Sequence, residues 1–147
     1  MSDDFERQLV TAYKQTQESD ELEDNSLRLR KTRMLLLDNP PPFEPGAYIL
    51  VVQVDVAPYW STLSAGLTIG RTDEAGLKIV GKWVSTVHCK FNQDESDWFV
   101  EDLESTNGLQ VNGTEHDRHF LSEGDAIQVG NCLLIFLQVR EDETLIQ

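Results

Sequence analysis

Basic residues are scarce in this chain: 12 lysines and arginines stand against 26 aspartates and glutamates, for a formal net charge of −14. A field of that sign repels nucleic-acid backbones and anionic lipid surfaces, so neither nucleic acid nor membrane is expected as a partner. Long apolar runs are missing too. The longest candidates, Tyr48 to Val54 and Cys132 to Val139, have strand length and fall well short of a membrane span. Cysteine is limited to Cys89 and Cys132, each inside an apolar strand pattern and without CxxC spacing. That excludes a disulfide framework or a zinc site and leaves buried thiols. The first residues, Met1-Ser2-Asp3-Asp4, are acidic and no basic region precedes an apolar one, so no secretory signal is read and the cytoplasm is the expected compartment.

What is present divides the chain in three. Residues 1–46 read as an N-terminal extension. Asp3 and Glu6 make an N-cap and N3 pair, and Phe5, Leu9 and Tyr13 recur every four residues, which predicts a short amphipathic helix near 4–17. The acidic run Glu18 to Asp24 has little to bury and is expected to be disordered or solvated. Arg28, Arg30, Lys31 and Arg33 then lead into Met34-Leu35-Leu36-Leu37, a segment open to three readings: a second helix, a docking strand, or a partner-binding stretch. The reading favoured for it is a solvated face with a small apolar anchor. Asn39-Pro40-Pro41-Pro42 and Pro45-Gly46 form a stiff linker that marks the boundary.

Residues 47–139 change period. Short apolar segments at Tyr48–Val54, Leu67–Ile69, Leu77–Val80, Val87–Phe91, Trp98–Val100, Leu109–Val111, Ala126–Val129 and Leu133–Leu137 alternate with turn signals, of which Asn112-Gly113 is among the strongest. Many short strands with no helical interval predict an all-β fold, a two-sheet β-sandwich. Residues 140–147 read as an acidic tail.

Polar clusters sit where the apolar segments break off: Gly70-Arg71, Ser85-Thr86-Val87-His88 and Ser105-Thr106-Asn107-Gly108. A guanidinium, several hydroxyls, a carboxamide and loop glycines, gathered at one end of a sandwich, make a phosphate receptor. None of these loops offers nucleophile, base and oxyanion donors together, so the chain reads as a binder and not an enzyme. His116-Asp117-Arg118-His119 has HxxH spacing but no third ligand nearby in sequence, so it reads as a surface polar loop and no metal or cofactor is expected.

In order and spacing, Leu67-Thr-Ile-Gly-Arg, Val84-Ser-Thr-Val-His-Cys-Lys-Phe, Val100 to Gly113, and Leu121-Ser-Glu-Gly-Asp-Ala-Ile-Gln-Val-Gly resemble the forkhead-associated (FHA) domain. The resemblance covers roughly residues 47–139. It implies a sandwich of about eleven strands that binds phosphothreonine peptides through loops at one end. It assigns the phosphate to Arg71 and Ser85, with Thr86 beside them. Thr106 supplies a hydroxyl to the phosphate or a methyl-lined pocket for the threonine methyl, and Asn107 bonds the ligand main chain. Gly70, His88, Gly108 and Asn112 are implied to be supports. One departure stands out: the family often has a basic residue directly after the motif serine, where this chain has Thr86. Lys82 or Lys78 could replace that charge through the field.

Two further functional readings stay open beside a monomeric phosphothreonine adaptor downstream of a Ser/Thr kinase. One is a phosphate-independent regulator or scaffold of a partner protein, switched when a phosphorylated N-terminal threonine, Thr16 or Thr11, binds the chain's own site. The other is structural assembly through the Phe5/Leu9/Tyr13 stripe.

Overall fold

The computed structural model describes residues 21–42 and 44–140. Among them the chain forms a helix, α1 (Glu21–Asp38), followed by β1 (Gly46–Gln53), β2 (Val56–Thr62), β3 (Leu67–Gly70), β4 (Leu77–Lys78), β5 (Cys89–Asp94), β6 (Asp97–Asp102), β7 (Leu109–Val111), β8 (Thr114–Glu115), β9 (Arg118–Phe120), β10 (Ala126–Val129) and β11 (Cys132–Val139). One sheet has the order β2-β1-β11-β10-β7-β8, the other β4-β3-β5-β6-β9. Neighbours are antiparallel except β3 and β4, which run parallel. The expected eleven-stranded sandwich is the fold.

The inner faces of the two sheets meet in one core. Ile49 and Val51 of β1, Ile127 of β10 and Leu134 and Phe136 of β11 pack with Ile69 of β3, Phe91 of β5 and Val100 of β6. Alternation along a strand sends the intervening residues the other way. In β1 and β11 those residues are apolar as well: Leu50, Val52, Leu133 and Ile135 form a second cluster on the outer face. This is why β1 reads as a continuous apolar run. Both of its faces are covered.

The cover is α1. Leu35, 1% exposed, seats in the second cluster, flanked by partly buried Leu36 and Trp60. A fully buried leucine contributes about 1.5–3 kcal/mol. Within the run expected to be disordered or solvated, Glu21 to Asp24 are helical, and the basic–apolar segment continues that helix. The segment 21–38 contains no Gly or Pro and is rich in Leu, Arg, Lys, Met and Glu, all good helix formers. Its end is set by Asn39, whose backbone and side-chain N–H groups both donate to the Leu35 carbonyl, and by Pro40 behind it. The Trp60 indole N–H donates to the Asn39 carbonyl at 3.1 Å and ties the helix end to β2. The helix predicted near 4–17, Thr11, Thr16 and the tail 141–147 lie outside the described residues.

Strands β2, β8 and β9 are additions to the sequence reading. β2 carries Pro58, which is tolerated because β2 is an edge strand. β9 falls in the segment read as a polar loop: it pairs with β6, and the Arg118 guanidinium lies 4.1 Å over the Phe99 ring. Both cysteines are free and buried. Burial pushes their thiols up, Cys132 to about 12, and for Cys89 the negative charge of Asp102 adds to the desolvation. Held protonated, neither is a nucleophile.

Candidate functional site

Three loops converge beyond the ends of β3, β4, β5, β6 and β7, and the hydrogen bonds between them explain why their residues recur in this pattern. The first loop leaves β3 at Gly70. A Cβ built at Gly70 would lie 2.1 Å from the Thr86 carbonyl oxygen, so only glycine lets the second loop pass this close. Arg71 follows. Its N–H donates to the carbonyls of Ser85 and Thr86, and its Nε donates to the Val84 carbonyl at 2.9 Å. The guanidinium is thereby pinned at its base, while its terminal nitrogens have no partner among the described residues.

Ser85 is the junction of the second and third loops. Its Oγ accepts the Thr106 N–H at 3.0 Å, which leaves the hydroxyl proton available for a ligand. Its own N–H donates to His88 Nδ1 at 3.0 Å. Because Nδ1 accepts, the proton of a neutral ring sits on Nε2, which donates to the Gly108 carbonyl at 2.7 Å. His88 is fully buried, and its N–H donates to the Ile69 carbonyl. The imidazole thus spans the second and third loops, and the backbone of the same residue ties them to the end of β3.

The third loop is closed by a residue that sequence reasoning did not select. Asp102 accepts from Ser105 N–H at 3.2 Å and from Ser105 Oγ at 2.5 Å, and Ser105 Oγ in turn accepts the Gly108 N–H. The available signal was the Asp-x-x-Ser spacing, which favours this side-chain-to-backbone turn. Asn107 Nδ2 donates to the Trp83 carbonyl at 3.0 Å, so the carboxamide is already anchored across the loops, with its oxygen left over. Thr86 and Thr106 are both exposed and their hydroxyls have no partner among the described residues.

The Asn-Gly pairs separate in role. Asn112-Gly113 is the two-residue turn of the β7–β8 hairpin, with φ of 52° and 89°. Its carboxamide also binds Asp125 Oδ1 and the Ala126 N–H, locking it to the turn before β10. Asn107-Gly108 instead carries the chain from one sheet to the other. Gly108 has φ of 83°, and a Cβ there would lie 2.9 Å from the Glu115 carboxylate. Asp125, also absent from the sequence-predicted set, accepts from Ser122 N–H and His119 Nε2 besides Asn112. The His116 and His119 ring centres lie 4.6 Å apart, with the planes tilted by 47°, and no cluster of three metal-ligating side chains occurs among the described residues.

A sandwich that presents fixed loops, a base-pinned guanidinium and exposed hydroxyls at one end has a layout suited to recognition, because a scaffold that holds the donors leaves the ligand alone to order. Residues 67–130 match the family model of the FHA domain. Over that stretch the chain is similar to FHA domains. It is 32% identical over 71 residues to the oxoglutarate dehydrogenase inhibitor of Corynebacterium diphtheriae, covering 48% of this chain and 50% of that protein. To the glycogen accumulation regulator GarA of Mycobacterium tuberculosis it is 30% identical over 95 residues, covering 63% and 59%. A solved structure from an analysis of phosphothreonine-dependent FHA domain interactions superposes with a TM-score of 0.56 at 27% identity, covering 62% of this chain and 96% of that one. The chain thus spans about half the length of the corynebacterial relative and somewhat more of the mycobacterial one.

Proposed function

We propose that this protein is a cytoplasmic, non-enzymatic adaptor that binds phosphothreonine-containing proteins downstream of Ser/Thr kinases, through Arg71, Ser85, Thr86, Thr106 and Asn107. One observation carries this: Arg71 and Ser85, on different loops, are each fixed by hydrogen bonds that leave the outward donors unspent. A planar guanidinium and a hydroxyl proton together match two oxygens of a phosphate. The solved structure concerned with phosphothreonine-dependent FHA interactions supports the same ligand. Gly70, His88, Gly108 and Asn112 act as supports: their groups are engaged within the fold. The net charge of −14 works against any phosphopeptide at long range, so the donors must act locally and partners with basic residues near the phosphate are favoured.

Calorimetry with one peptide in phosphorylated and plain forms tests this. The phosphorylated form should bind at least ten times more tightly, and Arg71→Ala should lose that advantage while remaining folded. Its thermal midpoint should be lowered only by the loss of the bond to the Val84 carbonyl. Equal affinity for both forms, or full affinity in Arg71→Ala, would overturn it.

A second reading is favoured by the curated relatives, one an oxoglutarate dehydrogenase inhibitor and one a glycogen accumulation regulator. In it the protein regulates a partner without needing phosphate, and a phosphorylated Thr16 or Thr11 switches it by occupying the same loops. Stoichiometric phosphorylation of the extension should then protect amides around Ser85 and Thr106 from hydrogen exchange. Unchanged protection would remove the switch.

A further inference from the structure

The face of α1 turned away from the sheet is left open among the described residues. Leu35 is buried against the sheet, whereas Leu37 is 75% exposed and Met34 43% exposed. Arg30 and Arg33 are exposed as well. These four residues stand at i, i+3, i+4 and i+7, the spacing of one helix face, and form a stripe of two apolar and two cationic side chains. Leu35, and the bond between the Trp60 indole and Asn39, anchor the helix beneath the stripe. Covering its leucine and methionine would remove apolar surface from water.

The sequence places a candidate cover directly ahead. The amphipathic helix expected near 4–17 is about 14 residues long, and a helix of that length is marginal in water until its apolar face is buried. That face consists of Phe5, Leu9 and Tyr13, and only Glu18-Ser19-Asp20 separates the helix from α1. Asp20 stands before Glu21, and Glu23 follows three positions later, the N-cap and N3 pattern with which a new helix begins. A connection of about 2–5 residues joins antiparallel helices in a hairpin. With the chain folded back at 18–20, Tyr13 comes level with Ser26, Leu9 with Arg30, and Phe5 with Met34, one turn from Leu37. The charges suit the same register. Asp3, Asp4 and Glu6 come level with the half of α1 that carries Arg30 and Arg33, and Lys14 with Asp24.

We propose that the Met34 and Leu37 face of α1 is the docking surface for residues 4–17 of the same chain, which pack on it as the other arm of an antiparallel helical hairpin. The occupant is the chain's own segment and not a second copy. A three-residue connection holds it at high effective concentration, while two molecules of net charge −14 repel each other. The Phe5, Leu9 and Tyr13 stripe is then buried within one molecule and is not free for assembly.

Hydrogen exchange on the full chain tests this. Amides of residues 8–17 should exchange about tenfold or more slowly than in a free peptide of residues 1–20. Met34→Gln with Leu37→Gln should remove that protection. Glutamine forms helix about as well as the residues it replaces, so amides around Leu35 and in β1 and β11 should exchange as before. A cysteine pair gives a second readout, since both native cysteines are buried. Under mild oxidation, Ala12→Cys with Ser26→Cys should close a disulfide within one chain about tenfold faster than Thr11→Cys with Ser26→Cys, because Thr11 falls on the opposite side of its helix from Leu9. Absent protection, or protection unmoved by the two glutamines, would overturn the hairpin, as would equal disulfide rates. A disulfide between chains, with dimers in sedimentation, would overturn it in favour of assembly through the same stripe.

Discussion

The front of this molecule and its back are built on opposite physics. At the front, three loops are held by directional polar contacts: His88 bridges Ser85 and Gly108, Asp102 closes on Ser105, and Asn107 reaches Trp83. At the back, α1 is held mainly by apolar contact, with Leu35 seated among Leu50, Val52, Leu133 and Ile135. Polar clamps fix positions to a few tenths of an ångström and suit a site whose donors must be aimed. Apolar contact is non-directional, so it attaches an element firmly while setting its orientation less strictly. The donors proposed for ligand binding are all at the front.

Gly70→Ala strikes the front hardest. Its new Cβ would fall 2.1 Å from a backbone oxygen, and backbone cannot swing aside as a side-chain tip can. A loss of about 4 kcal/mol is expected, at the severe end for one substitution, with phosphopeptide binding lost as the loop carrying Thr86 is displaced. Chemical denaturation and calorimetry on the same samples check it. Near-native stability with intact binding would mean that the close approach of the first two loops is not what positions the donors.

Leu35→Ala strikes the back. Filling a closed core, a leucine deletion costs about 2–5 kcal/mol, but a peripheral helix can lift off and so limit the loss. About 2 kcal/mol is expected. The Trp60 indole resonance should shift as its bond to Asn39 opens, and phosphopeptide affinity should stay within about twofold. A larger change in affinity would couple back to front and erase the contrast between them.

The two regions also differ in how far the sequence discloses them. The Asn112-Gly113 turn is legible because it answers a short-range demand, a φ that few residues accept. Arg71, Ser85 and Asn107 are singled out instead by loop position and by resemblance to a family pattern. His88 is read as a support from the same resemblance, and its ring is engaged between Ser85 and Gly108. Asp102 and Asp125 stand in turn segments with no partner visible in the sequence, and what gives them partners is the three-dimensional closure of the loops. For the segment of α1 around Leu35 the sequence leaves a helix, a docking strand and a partner-binding stretch open and favours a solvated face with a small apolar anchor. Leu35 has its partners on strands β1, β10 and β11, far away in sequence, and nothing within the helix announces them. β9 was hidden for a related reason: Arg118 reads as polar until β6 places the Phe99 ring beneath it.

Thr86→Arg would sharpen the front alone, and gently. Thr86 is exposed and its carbonyl already receives Arg71 N–H, so a longer side chain there meets no packed neighbour and needs no backbone change. Restoring a cation at this place adds a charge-assisted contact to the phosphate. Part of its worth is offset by ordering a flexible side chain and by salt screening. A gain of about 1 kcal/mol, roughly fivefold in affinity, is expected at low ionic strength, shrinking as salt is added, with the denaturation midpoint unmoved. If affinity does not change at any salt concentration, Lys82 or Lys78 already supplies the charge through the field. In that case Lys82→Gln in the unaltered chain should weaken phosphopeptide binding by a similar factor.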